Sequence, residues 1–144
     1  MREILFRGKR VDGEGWAEGD IHHNDTPYFP MVLIGQLVLS RDKHTNEISF
    51  DGYCLEEVDP ETVGQYTGLT DKNGKRIFEG DIIKESHWLK RTFKVEFDEG
   101  RGGWYPFACG DGCGCCEDEV VAADWCEVIG NIHDNPELIA EVEG

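Results

Sequence analysis

The residues from Gln65 to Lys84, QYTGLTDKNGKRIFEGDIIK, decide the fold class because they combine two turn signals with two short strands. Asn73-Gly74 is the residue pair that most readily adopts positive φ at a hairpin tip, and residues 75–78 are the predicted return strand. Glu79-Gly80-Asp81 turns the chain again, and Ile82-Ile83-Lys84 opens the next strand. The segment therefore predicts tightly turned antiparallel β structure, which is typical of small barrels.

Further short apolar runs bounded by turns predict strands on both sides of this segment. Ile4 to Phe6 is the first. Met31 to Leu39 (MVLIGQLVL) is predicted as the longest buried strand, with Glu47 to Leu55 as its partner across the turn from Ser40 to Asn46. Cys54, within that partner strand, is expected to be a small core residue.

The second half of the chain predicts another hairpin and two short helical turns. Arg91 to Phe97 and Trp104 to Ala108 flank a glycine-rich tip. Asp59-Pro60-Glu61 and Asn135-Pro136-Glu137 each place a capping residue before a proline, which favours the start of a helix. The second of these predicts a short helix near the C-terminus.

Three stretches of the sequence also carry a family pattern. They are Arg2 to Asp12 with the following Gly15-Trp16 and Glu18-Gly19-Asp20, then Thr62 to Ile82, and then Val128 to Leu138 (VIGNIHDNPEL). In order and spacing they resemble the YopX-like proteins of phages and prophages. The resemblance implies a mostly β protein with an SH3-like barrel, carried by a mobile genetic element and located in the bacterial cytoplasm. The family has no agreed biochemical function.

Length and composition are consistent with that fold class. The chain has 144 residues, enough for one good core or two small ones. Its 18 glycines exceed the usual share of about 7% and favour short strands with many turns. We expect an N-terminal β region over residues 1–58 and a C-terminal SH3-like barrel region over residues 59–144, packed as one compact unit. The sequence lacks an apolar run near 18 residues and a signal peptide, so we expect neither membrane insertion nor export.

The net charge of −16 is concentrated in the last third of the chain. Residues 96–144 contain thirteen acidic residues and one arginine, which gives −12, whereas residues 1–95 contain seventeen acidic and thirteen basic residues, which gives −4. Such a surface repels phosphate backbones, so direct binding of nucleic acid is not expected. One interpretation is a solvated acidic face that keeps the protein soluble. The other is a surface that mimics nucleic acid and inhibits a host or phage DNA-binding protein.

The chemically richest segment is the cysteine cluster from Cys109 to Cys116. Cys113 and Cys116 form a C-x-x-C step, the spacing at which two thiolates can bind one tetrahedral zinc ion. Cys109 and Cys126 would complete a closed, structural set of four ligands. The alternative is an exposed, thiol-rich loop, since the chain has only one clean C-x-x-C step.

No arrangement of residues in the sequence predicts catalysis. Carboxylates are so abundant that no pair stands out as a general acid and base, and the isolated histidines have no nucleophile at a suggestive spacing. Four tryptophans and four tyrosines, Tyr53 among them, could line a groove for a peptide or fill the core. We therefore expect a non-enzymatic module that binds another protein, as a homo-oligomer. The alternatives are the nucleic-acid mimic and a zinc-stabilised accessory protein of an enzyme.

Overall fold

The computed structural model describes residues 3–25, 27–28, 30–86, 90–100, 102–107 and 121–142. Contacts between residues divide this part of the chain into two units, residues 3–65 and residues 66–142. The sequence predicts the boundary between the N-terminal and C-terminal regions between residues 58 and 59. The secondary structure is mostly β and every sheet is antiparallel.

The first unit is built from four strands in the hydrogen-bonded order β4-β3-β2-β1. They are β1 (Phe6–Lys9), β2 (Trp16–Asn24), β3 (Met31–Arg41) and β4 (Ile48–Val58). The strand β5 (Gly64–Thr70) begins in this unit, where Gln65 pairs with Phe6 of β1. A short 3-10 helix, Pro60–Thr62, precedes β5, and the Asp59 side chain accepts a hydrogen bond from the amide of Glu61, as its capping signal predicts.

The core of the first unit consists of Ala17, Ile34 and Val58. Gly8 in β1 is needed beside this core because a Cβ atom there would lie 2.8 Å from the Val58 side chain. The first strand starts later than predicted, since Ile4 is exposed and the strand runs from Phe6 to Lys9. Arg7 can occupy a buried place in it because its guanidinium lies 4.8 Å from the centre of the Trp16 ring.

The second unit continues β5 into a hairpin with β6 (Arg76–Phe78). Strands β7 (Asp81–Glu85), β8 (Thr92–Lys94) and β11 (Cys126–Asn131) form a second sheet, in the hydrogen-bonded order β11-β7-β8. A separate two-stranded sheet pairs β9 (Glu96–Asp98) with β10 (Gly103–Tyr105). Strands β9 and β10 form a hairpin across the predicted glycine-rich tip, but the predicted strand from Arg91 to Phe97 is divided between β8, which pairs with β7, and β9. The 3-10 helices Ala123–Trp125 and Pro136–Glu141 complete the unit, and the latter confirms the predicted C-terminal helix.

The turns of the decisive segment lie where the sequence predicts them. Gly74 has φ of +81° and its amide donates to the carbonyl of Asp71 over 3.0 Å, which closes the β5–β6 hairpin. Gly80 has φ of +89° in the next turn. Ile82 and Ile83 are fully buried in β7, and Ile83 packs with Ile77 in the core of this unit. These predictions are confirmed.

Three structural predictions are not confirmed in full. In the described residues no sheet closes into a barrel, so the mostly β class is confirmed and the SH3-like barrel stays a prediction. The predicted burial of Met31 to Leu39 is wrong for its outer half, because Leu37, Val38 and Leu39 are exposed. Cys54, expected in the core, is exposed as well. Across the described ranges, no helix has the length and apolar character needed to cross a membrane.

Candidate functional site

Of the four predicted zinc ligands, the structure locates one. Cys109, Cys113 and Cys116 lie outside the described residues. Cys126 is fully buried at the start of β11, and its thiol donates to the Ala122 carbonyl over 3.4 Å. Burial, reinforced by the charges of Glu85 and Asp71, raises the pKa of this thiol to about 11.

This environment keeps Cys126 a neutral, packed thiol unless a metal ion displaces its proton. Within the described ranges, no group of three or more potential ligands (His, Cys, Asp or Glu) could hold a metal ion. The zinc hypothesis therefore stays a prediction about the cysteine segment.

The buried charged groups of the second unit hold turns together. Glu85 is buried and both of its carboxylate oxygens accept from Arg91, each over 2.9 Å. Asp81 is buried and accepts from the amide of Phe78 over 2.8 Å. Asp71 accepts three backbone amides, from Asn73, Lys75 and Val128. Hydrogen bonds of this kind fix the backbone and give these residues a structural role.

A cavity of about 380 Å³ in the first unit is lined by residues of β1, β3 and β4, together with residues 10–11, Pro30 and residues 59–60. Arg10 in its lining forms ion pairs with Asp12 over 2.7 Å and with Glu56 over 3.3 Å. Two carboxylates thus neutralise this guanidinium. The Arg10 guanidinium therefore contributes little positive potential to attract an anionic ligand into the cavity.

The outer part of the β3–β4 hairpin is the most unusual feature of the described chain. Strand β2 pairs with β3 only as far as Gly35, which pairs with Asp20. Beyond it, β3 and β4 continue as a two-stranded ribbon, and within the described ranges no other strand pairs with residues 36–41 or 48–55. We call residues 36–55 the arm.

The register of the arm places its large apolar side chains on one face. Leu37 pairs with Tyr53 and Leu39 pairs with Phe50, and residues paired across an antiparallel ladder share a face. Tyr53 and Phe50 are three residues apart, so simple alternation would put them on opposite faces. A β-bulge between these two pairs inserts one extra residue in β4 and restores the common face.

Five side chains form this apolar face of the arm, and all of them are about half exposed or more. They are Leu37 at 49%, Leu39 at 56%, Ile48 at 60%, Phe50 at 62% and Tyr53 at 67%. The core of the unit lies on the other face of β3, where Ile34 packs. The five side chains are therefore uncovered by the protein's own core.

Glycine and the turn hold the arm in a defined shape. Gly35 has φ of +155°, and a Cβ atom there would collide with the carbonyl oxygen of Cys54, so only glycine permits this close approach of β3 to β4. At the tip, Oδ1 of Asp42 accepts from the amides of His44 over 2.7 Å and Thr45 over 2.9 Å. Hydrogen bonds from Thr45 and His44 hold the pKa of Asp42 below its ordinary value. The arm thus presents an ordered apolar surface.

The apolar face of the arm offers a contact surface of apolar character. The sequence predicts both strands but places them in the core, because an apolar run looks the same whether or not another layer covers it. No signal within the run separates the two cases, since the burial of Leu37 and Leu39 depends on how far β2 pairs along β3. Of the five side chains, only Tyr53 is among the tryptophans and tyrosines that the sequence offers for a peptide-binding groove.

Comparison with known proteins identifies the family. The family model described as YopX protein matches residues 31–140. The chain belongs to the YopX family. This YopX-family protein is also similar to a solved structure, the crystal structure of protein EF1440 from Enterococcus faecalis, with 26% sequence identity and a TM-score of 0.57.

The likeness to EF1440 extends over nearly the full length, covering 96% of this chain and 99% of that one. The comparison with curated proteins gives no match. The matched family segment includes the whole of β3 and β4, and therefore the arm.

Proposed function

We propose that this YopX-family protein is a non-catalytic protein-interaction module and that the apolar face of the arm is its docking surface. The observation that carries the proposal is the alignment of five exposed apolar side chains on the face of the ribbon opposite the core. Two of the five, Phe50 and Tyr53, are aromatic. Tyrosine in particular is over-represented among the residues that dominate binding energy at protein interfaces.

The size of the apolar face supports a docking role. With about 200 Å² for a fully exposed aromatic side chain and somewhat less for an aliphatic one, the five exposed fractions amount to about 500 Å². The largest contiguous apolar patch on a typical monomeric soluble protein is about 300–600 Å², and such a patch is often functional. An uncovered ribbon also offers unpaired backbone groups at its edges, which invite pairing with another chain.

The biological setting in this proposal comes from the resemblance alone. A gene on a phage or prophage and a place in the bacterial cytoplasm are the expected setting. An SH3-like barrel within residues 59–144 is part of the same expectation. None of these points is needed for the docking role of the arm.

A second candidate function is inhibition of a basic, DNA-binding protein by mimicry of nucleic acid. The observation in its favour is the charge of −12 over residues 96–144. A charge of this density attracts basic surfaces and speeds their association at low salt. Release of DNA from a basic protein by added YopX-family protein, lost at high salt, would support this function.

A capture experiment with matched baits tests the docking role. The baits are the wild-type protein, the double variant Phe50→Ser/Tyr53→Ser, and Val38→Ser as control. Val38 is exposed on β3 between Leu37 and Leu39, and its side chain therefore points to the other face. We expect proteins captured from bacterial lysate by wild type and by Val38→Ser to be lost with the double variant. Equal capture by all three baits would contradict the proposal.

A further inference from the structure

We infer that the occupant of the apolar face is a second copy of this chain, with the two arms packed face to face and antiparallel about a two-fold axis near Leu37. This inference rests on the proposed docking role of the arm. Three independent observations carry it: the distribution of charge, the pattern of residues along the face, and the area available.

The distribution of charge favours association of two copies through the arm. Residues 3–65 contain thirteen acidic and five basic residues, which gives −8. The arm, residues 36–55, contains three acidic residues (Asp42, Glu47 and Asp51) and two basic ones (Arg41 and Lys43), which gives −1. Contact through any strongly acidic face would bring like charges together. Contact through the arm places the nearly neutral surface at the centre of the interface.

The pattern of residues along the face is self-complementary. On β3, Leu33, Gly35, Leu37, Leu39 and Arg41 alternate onto one face of the strand. Glu57 pairs with Leu33, so an acidic side chain lies at the base of this face and a basic one at its tip.

Leu37 is the midpoint of this face, because Leu33 and Arg41 are each four residues from it. An antiparallel two-fold arrangement centred there brings the Arg41 side chain of each copy to the level of Glu57 in the other copy. The centre of the interface is then apolar, and an opposite-charge pair closes it at both ends.

The area available is what a small, reversible dimer needs. Each copy contributes about 500 Å² from the five apolar side chains, so two copies bury about 1,000 Å² before the flanking polar groups are counted. Specific interfaces begin near this size. We therefore expect a dimer that dissociates on dilution.

Sedimentation velocity over a wide range of concentrations tests the inference on the purified chain of 144 residues. The chain has a mass of 16.3 kDa, and we expect the wild type to approach twice that mass as concentration rises. Phe50→Ser/Tyr53→Ser should remain a monomer, and Val38→Ser should dimerise like the wild type. A wild-type protein that stays monomeric, or a dimer that survives the double substitution, would overturn the inference.

A charge exchange tests the antiparallel arrangement without touching the apolar residues. Arg41→Glu should raise the dissociation constant about tenfold, because it sets two carboxylates against each other at both ends of the interface. Combining it with Glu57→Arg should restore the wild-type constant. Dimerisation that is unaffected by Arg41→Glu, or not restored by the second exchange, would rule out this arrangement.

The outcomes also separate this inference from the docking role itself. A wild-type protein that is monomeric in solution, yet captures a different protein only when Phe50 and Tyr53 are intact, would overturn the second copy as occupant and leave the docking role standing. If neither capture nor dimerisation depends on Phe50 and Tyr53, both the docking role and the second copy as occupant are overturned.

Discussion

Replacement of Asp71 by asparagine should markedly lower the melting temperature of the protein. The Asp71 carboxylate joins two parts of the chain, because Oδ1 accepts from the amides of Asn73 over 2.8 Å and Lys75 over 2.9 Å, while Oδ2 accepts from Val128 over 3.0 Å. Asparagine keeps one acceptor oxygen for the turn but sets its amino group against the Val128 amide, so that two donors face each other.

The size of the effect follows from these contacts. The variant loses one hydrogen bond to a charged acceptor and leaves a donor without a partner, which together cost about 3 kcal/mol. For a chain of this size, that corresponds to a decrease in melting temperature of about 9 °C. Asp124→Asn is the matched control, since it removes the same charge from an exposed residue of the same unit. Thermal unfolding followed by circular dichroism at pH 7 measures both variants, and a loss at Asp71 no larger than the control's would refute the reasoning.

Acid should abolish the difference between wild type and Asp71→Asn. Burial alone would raise the pKa of Asp71, but hydrogen bonds from the amides of Val128, Lys75 and Asn73 and the charge of Lys75 hold it below its ordinary value of 3.8. Because the pKa is lowered in the folded state, the ionised carboxylate stabilises the protein fully above its ordinary pKa of 3.8. This stabilisation is lost as the pH falls through the lowered pKa. The two proteins should therefore converge in melting temperature below pH 3.8.

Four further predictions concern two single positions, the reactivity of the cysteines and the zinc content. Gly80→Val should destabilise the fold by about 0.5–3 kcal/mol in thermal unfolding, because φ of +89° strains any residue with a Cβ atom; an unchanged melting temperature would show that the turn relaxes. Glu79→Gln should raise the melting temperature at pH 7 but not well below pH 4.5, since burial and then the charge of Glu96 raise the pKa of Glu79 and so penalise its ionised form. At pH 8 iodoacetamide should modify the exposed Cys54 while sparing Cys126, with mass spectrometry of peptides as the readout. In the same preparation, purified without chelator, the zinc hypothesis predicts one zinc ion per chain by elemental analysis, whereas substoichiometric zinc would favour the thiol-rich loop.

The sequence predicts the decisive hairpin well because its signals are local. Gly74 and Gly80 adopt the positive φ that their turns require, and Asp71 caps the first turn through its own neighbours. The pairing of β3 with β4 is predictable for the same reason, since both strands adjoin one turn. Short-range chemistry alone decides each of these features.

The candidate site depends on distant contacts and is much harder to predict. Whether Leu37 and Leu39 are buried depends on how far β2 extends along β3, and that pairing ends at Gly35. Phe50 and Tyr53 share a face only because of a β-bulge in β4, and the identities of these two residues do not predict that bulge. The apolar residues therefore predict the two strands of the arm. Whether the side chains of the arm are exposed depends on which other strands pair beside them in the sheet.

Photochemical crosslinking from the arm in living bacteria tests the central claim most directly. A benzoylphenylalanine residue is placed at Tyr53, on the apolar face, and in a second strain at Val38, on the opposite face of the same ribbon. The docking role predicts a discrete crosslinked product after irradiation from Tyr53 and none from Val38, and a product of twice the chain's mass would identify a second copy as the occupant. Absence of a product from Tyr53, or equal products from both positions, would contradict the assignment of the apolar face as a docking surface.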